Sequence, residues 1–309
     1  MAYGATKFTK NGMFEVFKKD LENVNLKGKS FLVTGGNAGL GYCACTFFAN
    51  HGGTVHVVCR SEQKGKEAVQ NLIQSSNNPN IHLHICDISE MSQIRHLASQ
   101  FLDQALPLDV LIHNAGVMLP TRESTSEGLD KVFATNVLSN FLLTNLLIPV
   151  LTKSQDPRVI LVSSGGALTE DLNFRDVQSQ EASHWDGTRA YAVSKRQQIA
   201  LTEKLSSQYK STPISFFCMH PGWADTPGLQ SSMPDFWKFY KNSLRSPEEG
   251  ADTIEWLAVS ASVDKSMSGE FFRDREVEYK HLPLAGTSYS LNELNSFWQE
   301  CCKLANWET

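Results

Sequence analysis

Residues 30–41 read SFLVTGGNAGLG, and no other stretch constrains the chain as much. The apolar run 31–33 predicts a buried strand, the glycines a turn, and the residues from Tyr42 onward a helix. Glycine opens backbone angles closed to other residues and lets a ligand approach the main chain. The helix that follows presents unpaired N–H groups and the positive end of its dipole. A pyrophosphate fits such a place. A glycine turn alone also joins ordinary strands to helices, so its meaning depends on what accompanies it.

Further strands are expected at residues 54–59 (TVHVVC), 81–86 (IHLHIC), 109–113, 158–162 (RVILV), 214–219 and 270–272, with helices between them. The helices are placed near residues 42–51, 62–75, 89–104, 126–151, 188–208 and 246–261, with a last one in the tail near 290–307. This alternation predicts an α/β doubly wound parallel sheet (a Rossmann fold) covered on both faces. Right-handed crossovers then bring Gly35–Gly41, Asp87, Asn114, Ser164 and Pro221 to one edge of the sheet, where such folds hold their ligands. The chain divides into an N-terminal extension (1–28), one domain (29–275) and a C-terminal extension (276–309).

With 41% hydrophobic and 20% charged residues the composition is that of a globular protein. A net charge of −5 without a basic block argues against a nucleic-acid partner. Seven cysteines cannot all pair, and no spacing matches a metal site. A reducing compartment follows, cytoplasmic or peripheral on an intracellular membrane. The pair Cys301 and Cys302 is read as a packed helix face rather than a redox feature. His82 and His84 share one strand face, as decoration or, less simply, as metal ligands. No long apolar run predicts a membrane span. Phe8, Met13, Phe14, Val16, Phe17 and Leu21 permit an amphipathic helix in the N-terminal extension, packed on the domain or laid on a membrane surface.

Tyr191 and Lys195 are four apart in YAVSK, a spacing that shares a helix face. An ammonium beside a phenol favours the phenolate, so the pair is expected to exchange a proton near neutral pH. Ser164, at a strand end, can bind a substrate oxygen, and Asn136 supplies a polar orienter. Together they can polarise a carbonyl for hydride attack, with the hydride coming from a cofactor.

TGGNAGLG at 34–41, Asp87, NAG at 114–116, Asn136, Ser164, YAVSK at 191–195 and PGWADT at 221–226 resemble, in order, the motifs of the short-chain dehydrogenases/reductases. The glycine order resembles the one-domain branch rather than the sugar-nucleotide epimerases, and the strings VSSGG and HPGWADTPG are similar to its retinol-dehydrogenase-like group. The resemblance implies that Tyr191 is the acid/base, that Lys195 lowers its pKa and binds the nicotinamide ribose, that Ser164 holds the substrate oxygen, and that Asn136 holds a relay water. It implies cofactor contacts from Gly35, Asn37, Gly39, Leu40, Gly41, Asp87, Asn114, Ala115, Gly116, Pro221, Gly222 and Thr226. Two departures stand out: His113 replaces the usual first Asn of NNAG, and the stretch between Ser164 and Tyr191 is long, which predicts an inserted loop.

An acidic residue ending the second strand would repel a 2′-phosphate, but here Cys59 and Arg60 stand there. A guanidinium suits a phosphate, so NADP(H) is the expected cofactor. Trp223, Phe236, Trp237, Phe239 and Tyr240 within residues 223–245 read as a lid over a lipophilic carbonyl or alcohol, or equally as packing of a short helix. The other class of function left open is a cofactor-binding sensor that does not turn over.

Overall fold

Continuous apolar runs such as FLV and RVILV suit strands covered on both faces, and they form the centre of one sheet. The computed structural model describes residues 6–10, 21–181, 184–282 and 285–308. Its strands are β1 (Ser30–Thr34), β2 (Thr54–Cys59), β3 (Ile81–Ile85), β4 (Val110–His113), β5 (Arg158–Val162), β6 (Ser215–Met219), β7 (Phe271–Arg273) and β8 (Glu276–Val277). They lie in the order β3-β2-β1-β4-β5-β6-β7-β8. All pairs are parallel except β7 with β8. The order reverses direction between β1 and β4, and a crevice opens there at the strands' carboxyl ends.

The helices are α1 (Gly39–Asn50), α2 (Glu62–Ser76), α3 (Met91–Asp103), α4 (Lys131–Leu151), α5 (Gly187–Gln208), α6 (Pro227–Ser232), α7 (Pro234–Tyr240), α8 (Pro247–Val259) and α9 (Leu291–Leu304). Successive strand residues point to opposite faces, and the cores divide accordingly. Val33, Val57 and Phe217 pack with Phe48, Leu72, Ile254 and Leu257 of α1, α2 and α8. Leu32, Leu111 and Phe216 pack with Phe101, Phe141, Leu201 and Phe297 of α3, α4, α5 and α9.

Several boundaries differ from expectation. α1 starts at Gly39 rather than Tyr42, so the last three residues of the glycine stretch, Gly39–Gly41, open the helix, while Gly35–Ala38 form the turn before it. Residues 126–130 are not helical: Ser124 bridges Asp130, and Asp130 caps α4 by accepting from Phe133 N at 2.9 Å. β8 was not anticipated. Its two-residue connection uses Asp274 and Arg275 in left-handed conformation, φ 52° and 61°, without the glycine that usually marks such a hairpin.

α4 is long and apolar enough to cross a membrane, with mean hydropathy 1.4, yet 83% of that window is buried inside the fold. The tail helix α9 packs: Trp298 meets Phe141 edge-on at 4.8 Å, and Cys301 and Cys302 are buried. The expected N-terminal helix falls largely on residues 11–20, outside the described residues; Leu21 joins the core beside α1.

Candidate active site

The glycine cradle is built by close approach. Gly35 and Gly39 have φ +65° and +55°, and a Cβ on Gly41 would lie 2.4 Å from Asn114 Nδ2 and 2.5 Å from Gly35 O. Asn114 Nδ2 donates to Thr34 O at 2.9 Å, and Thr34 Oγ1 accepts from the N–H of Asn114 and of Ala115, each at 3.1 Å. The ends of β1 and β4 are thereby pinned across the crevice. Ala38, at the N-terminus of α1, offers no side-chain cap, which leaves the first N–H groups facing the cleft.

That cleft, about 330 Å³, is lined by Gly35, Asn37, Ala38, Gly39, Leu40, Arg60, Asp87, Asn114, Ala115, Gly116 and Thr226. A nicotinamide dinucleotide fits these residues: the uncapped helix end suits the pyrophosphate, and Thr226 approaches Gly39, whose Cβ would lie 3.5 Å from Thr226 Cβ. Asp87 Oδ1 is occupied by Ser89, accepting from its N at 3.0 Å and its Oγ at 2.7 Å. Gly41 does not line the cleft and serves packing instead. Lys131 also lines it, ion-paired to Glu123 at 2.9 Å. Nothing in the sequence pointed to that lysine, because the turn before α4 is what carries it there.

The long segment after Ser164 does not separate it from Tyr191. Residues 165–168 form a short turn, Leu168, Leu172 and Val177 after it are buried, and Asp186 caps α5 by accepting from Thr188 N at 2.9 Å and Arg189 N at 3.1 Å. Tyr191 consequently faces Ser164, whose hydroxyl acts on the phenol. Lys195, 2% exposed, holds its Nζ 5.3 Å from the centre of the Tyr191 ring and donates to Val162 O at 2.8 Å. Ser163 Oγ donates to Lys195 O at 2.7 Å.

Burial pushes the Tyr191 phenol up to about 12, against the opposing pull of the Ser164 hydroxyl. It also brings the Lys195 ammonium down to about 8. Burial is the largest influence on each group, and it acts against the proton exchange near neutral pH that their spacing led us to expect.

Asn136 lies in a π turn, Ala134–Leu138, inside α4. Its Oδ1 accepts from Val117 N at 2.8 Å, and its Nδ2 donates to Val117 O and Ser194 Oγ, each at 2.9 Å. Its carbonyl oxygen accepts from Asn140 Nδ2 at 2.9 Å. A Cβ on Gly116 would meet Lys195 Nζ at 3.2 Å and Asn136 Oδ1 at 3.3 Å, so the NAG turn, α4 and α5 converge there. His113 points away from the cleft and bonds Thr144 Oγ1 at 2.8 Å, which explains how the NNAG departure is accommodated.

Pro221 and Gly222 follow β6. Gly222 has φ +74°, and a Cβ there would lie 2.5 Å from the Arg245 guanidinium. Arg245 is 1% exposed, pairs with Asp274 at 2.6 Å and 3.0 Å, and donates to Pro221 O at 3.2 Å. Sequence reading missed this clamp, whose partners are distant along the chain. Trp223, Phe236 and Tyr240 pack on one another with centroids 4.6–5.0 Å apart; Trp237 bonds Asp225 Oδ1 at 2.8 Å, and Phe239 is exposed. Among the described residues no cluster of three or more metal-ligating side chains occurs; His84 bonds His56 at 2.9 Å.

A parallel sheet with a glycine cradle at its reversal point and Ser, Tyr and Lys beside it defines a dinucleotide-binding oxidoreductase fold. The family model described as short chain dehydrogenase matches residues 29–175. The chain belongs to the short-chain dehydrogenase/reductase family, oxidoreductases that bind nicotinamide cofactors. It is 47% identical to dehydrogenase/reductase SDR family member 12 of Homo sapiens over 293 residues, covering 94% of this chain and 91% of that protein. Retinol dehydrogenase 11 of Mus musculus is 30% identical, over 91% of this chain and 88% of its own length. Two solved structures share the fold. An uncharacterised protein of Mycobacterium paratuberculosis has TM-score 0.70 at 22% identity, covering 93% and 97% of the two chains. The RhlG/NADP active-site complex of Pseudomonas aeruginosa has TM-score 0.64 at 23% identity, covering 80% and 94%.

Proposed function

We propose that this protein is an NADP(H)-dependent oxidoreductase that interconverts a carbonyl and an alcohol on a lipophilic molecule. The observation that carries the reading is Tyr191 set against Ser164, with the Lys195 ammonium 5.3 Å from the centre of the same ring. In the cleft, Gly35, Asn37, Gly39, Leu40, Asp87, Asn114, Ala115, Gly116 and Thr226 would hold the cofactor, with Pro221 and Gly222 flanking its nicotinamide. That group supplies or takes the hydride.

The chain's own residues manage the oxygen and its proton. Ser164 Oγ binds the carbonyl oxygen, and the neutral Tyr191 phenol donates its proton as negative charge develops there. Lys195, buried beneath them, stabilises the phenolate left behind, and Asn136 braces the Gly116 turn and positions the relay toward Lys195. Arg60 supports NADP(H) over NAD(H): it lines the cleft, is exposed, and makes no ion pair among the described residues. The bound NADP named for the RhlG complex is consistent with that choice. A lipophilic substrate is supported by the aromatic wall of Trp223, Phe236 and Tyr240, and by the retinol dehydrogenase relatives. The catalytic unit is proposed to span residues 29–275, with 276–309 as an extension packed on it.

The test is cofactor consumption at 340 nm with NADPH and with NADH, offering retinal, a keto-steroid and a medium-chain aldehyde. Tyr191→Phe is expected to lower kcat/KM by about 10²–10⁴-fold, the usual worth of general acid catalysis, while NADPH still binds. Turnover at the parent rate by a folded Tyr191→Phe would remove the tyrosine from the mechanism.

A further inference from the structure

Residues 7–10, which the family motifs do not reach, lie against the proposed catalytic site. Phe8 O accepts from Trp223 N at 2.6 Å, and Lys10 N donates to Ser243 O at 3.1 Å. Arg245 donates to Lys7 O at 3.0 Å and Thr9 O at 3.4 Å, and Arg273 donates to Lys7 O at 3.2 Å. The segment is thus held by the same enclosed guanidinium that pairs with Asp274 and supports the turn after β6. A strap fixed through its main chain at both ends has little freedom to swing aside.

The side chain so placed is Phe8. Its ring stacks on Trp223 at 5.6 Å and lies 5.1 Å from His220. It also covers Gly165, where a Cβ would lie 3.0 Å from Phe8 Cε1. Gly165 directly follows Ser164, the proposed binder of the substrate oxygen. Phe8 remains half-buried, so the described residues leave part of it uncovered.

We infer that Phe8 is a specificity-determining residue: its ring walls the space next to the substrate carbonyl and limits the bulk of the group attached there. The inference rests on the reading of Ser164 as the oxygen binder. A slim aldehyde passes the ring; a ketone with a second large substituent meets it. Gly165 belongs to the same device, since any side chain there would displace the ring.

The experiment compares the parent with Phe8→Ala, Phe8→Leu and Phe8→Trp in two readouts. The first is the ratio of kcat/KM for benzophenone to that for benzaldehyde with NADPH. The second needs no turnover: the ratio of affinities for the non-reacting carbonyls benzanilide and benzamide, by calorimetry in the presence of NADPH. Phe8→Ala is expected to raise the bulky-to-slim ratio about tenfold, the scale at which apolar pockets discriminate size. Phe8→Leu moves it the same way and Phe8→Trp the opposite way. Ratios within twofold of the parent in folded variants overturn the inference, and if the alanine variant does not fold, the leucine and tryptophan variants decide. A parent that binds the amides but reduces neither carbonyl defeats the oxidoreductase reading alone, and the amide ratios then judge Phe8. A parent that binds neither amide overturns both.

Discussion

At Tyr191 two influences oppose each other, and burial wins: the phenol rises to about 12 although the Ser164 hydroxyl acts to lower it. Spacing along a helix announced that Tyr191 and Lys195 share a face, but it carried no information about how deeply that face is enclosed, and enclosure sets the protonation state. Arg60 is the reverse case. Its place at the end of β2 was legible from sequence, and the fold leaves it exposed on the cleft rim. Replacing Arg60 by Ala is expected to weaken NADPH binding by tenfold or more, since a charged hydrogen bond contributes roughly 1.5–3 kcal/mol, and to leave NADH nearly unaffected. Fluorescence titration with both cofactors checks this, and equal losses would sink the 2′-phosphate assignment.

Between elements, two enclosed arginines do what no motif reports. Arg196, next to Lys195 on α5, bonds Lys280 O, Thr287 O and His281 Nδ1 and lies over Tyr289 at 5.2 Å, fastening the C-terminal extension to the helix that carries the proposed catalytic pair. Arg245 fastens residues 7–10 and the hairpin of β7 and β8 to the turn after β6. An arginine in a loop reads as surface in a sequence, because its partners, a carboxylate and several carbonyls, come from separate parts of the chain. Arg245→Ala leaves the enclosed Asp274 with Arg273, at 3.3 Å, as its remaining ion partner. It is expected to lower the unfolding free energy by at most about 3–5 kcal/mol, the cost when a buried charge is left with no partner, read from the urea midpoint; a loss below about 1 kcal/mol would match a surface pair instead.

The whole molecule carries a pH dependence through its buried imidazoles. His56, His113 and His220 are each brought from 6.5 down to about 3, burial being the largest cause. The unfolded chain takes up these protons first as pH falls. Their contribution to stability is therefore complete above about pH 6.5 and is lost as pH drops toward 3. Urea midpoints are expected to fall steadily below pH 6.5, and His113→Asn to flatten that slope whatever it does to stability at neutral pH. A parent midpoint constant from pH 7 to pH 4 would contradict the assignment.

The sequence by itself determined the sheet, its alternation with helices, and the edge on which Gly35, Asp87, Asn114 and Ser164 gather, because apolar runs and glycine positions act locally and crossover handedness does the rest. It also determined that Tyr191 and Lys195 face the same way. Only the tertiary structure decided that Gly39–Gly41 open α1, that Asn136 sits in a π turn beside Gly116, that Tyr191 comes to face Ser164, and that Phe8 and Arg245 border the site. Each depends on contacts between residues far apart in the chain, which exist only once packing has paired the polar groups that burial would otherwise leave unsatisfied.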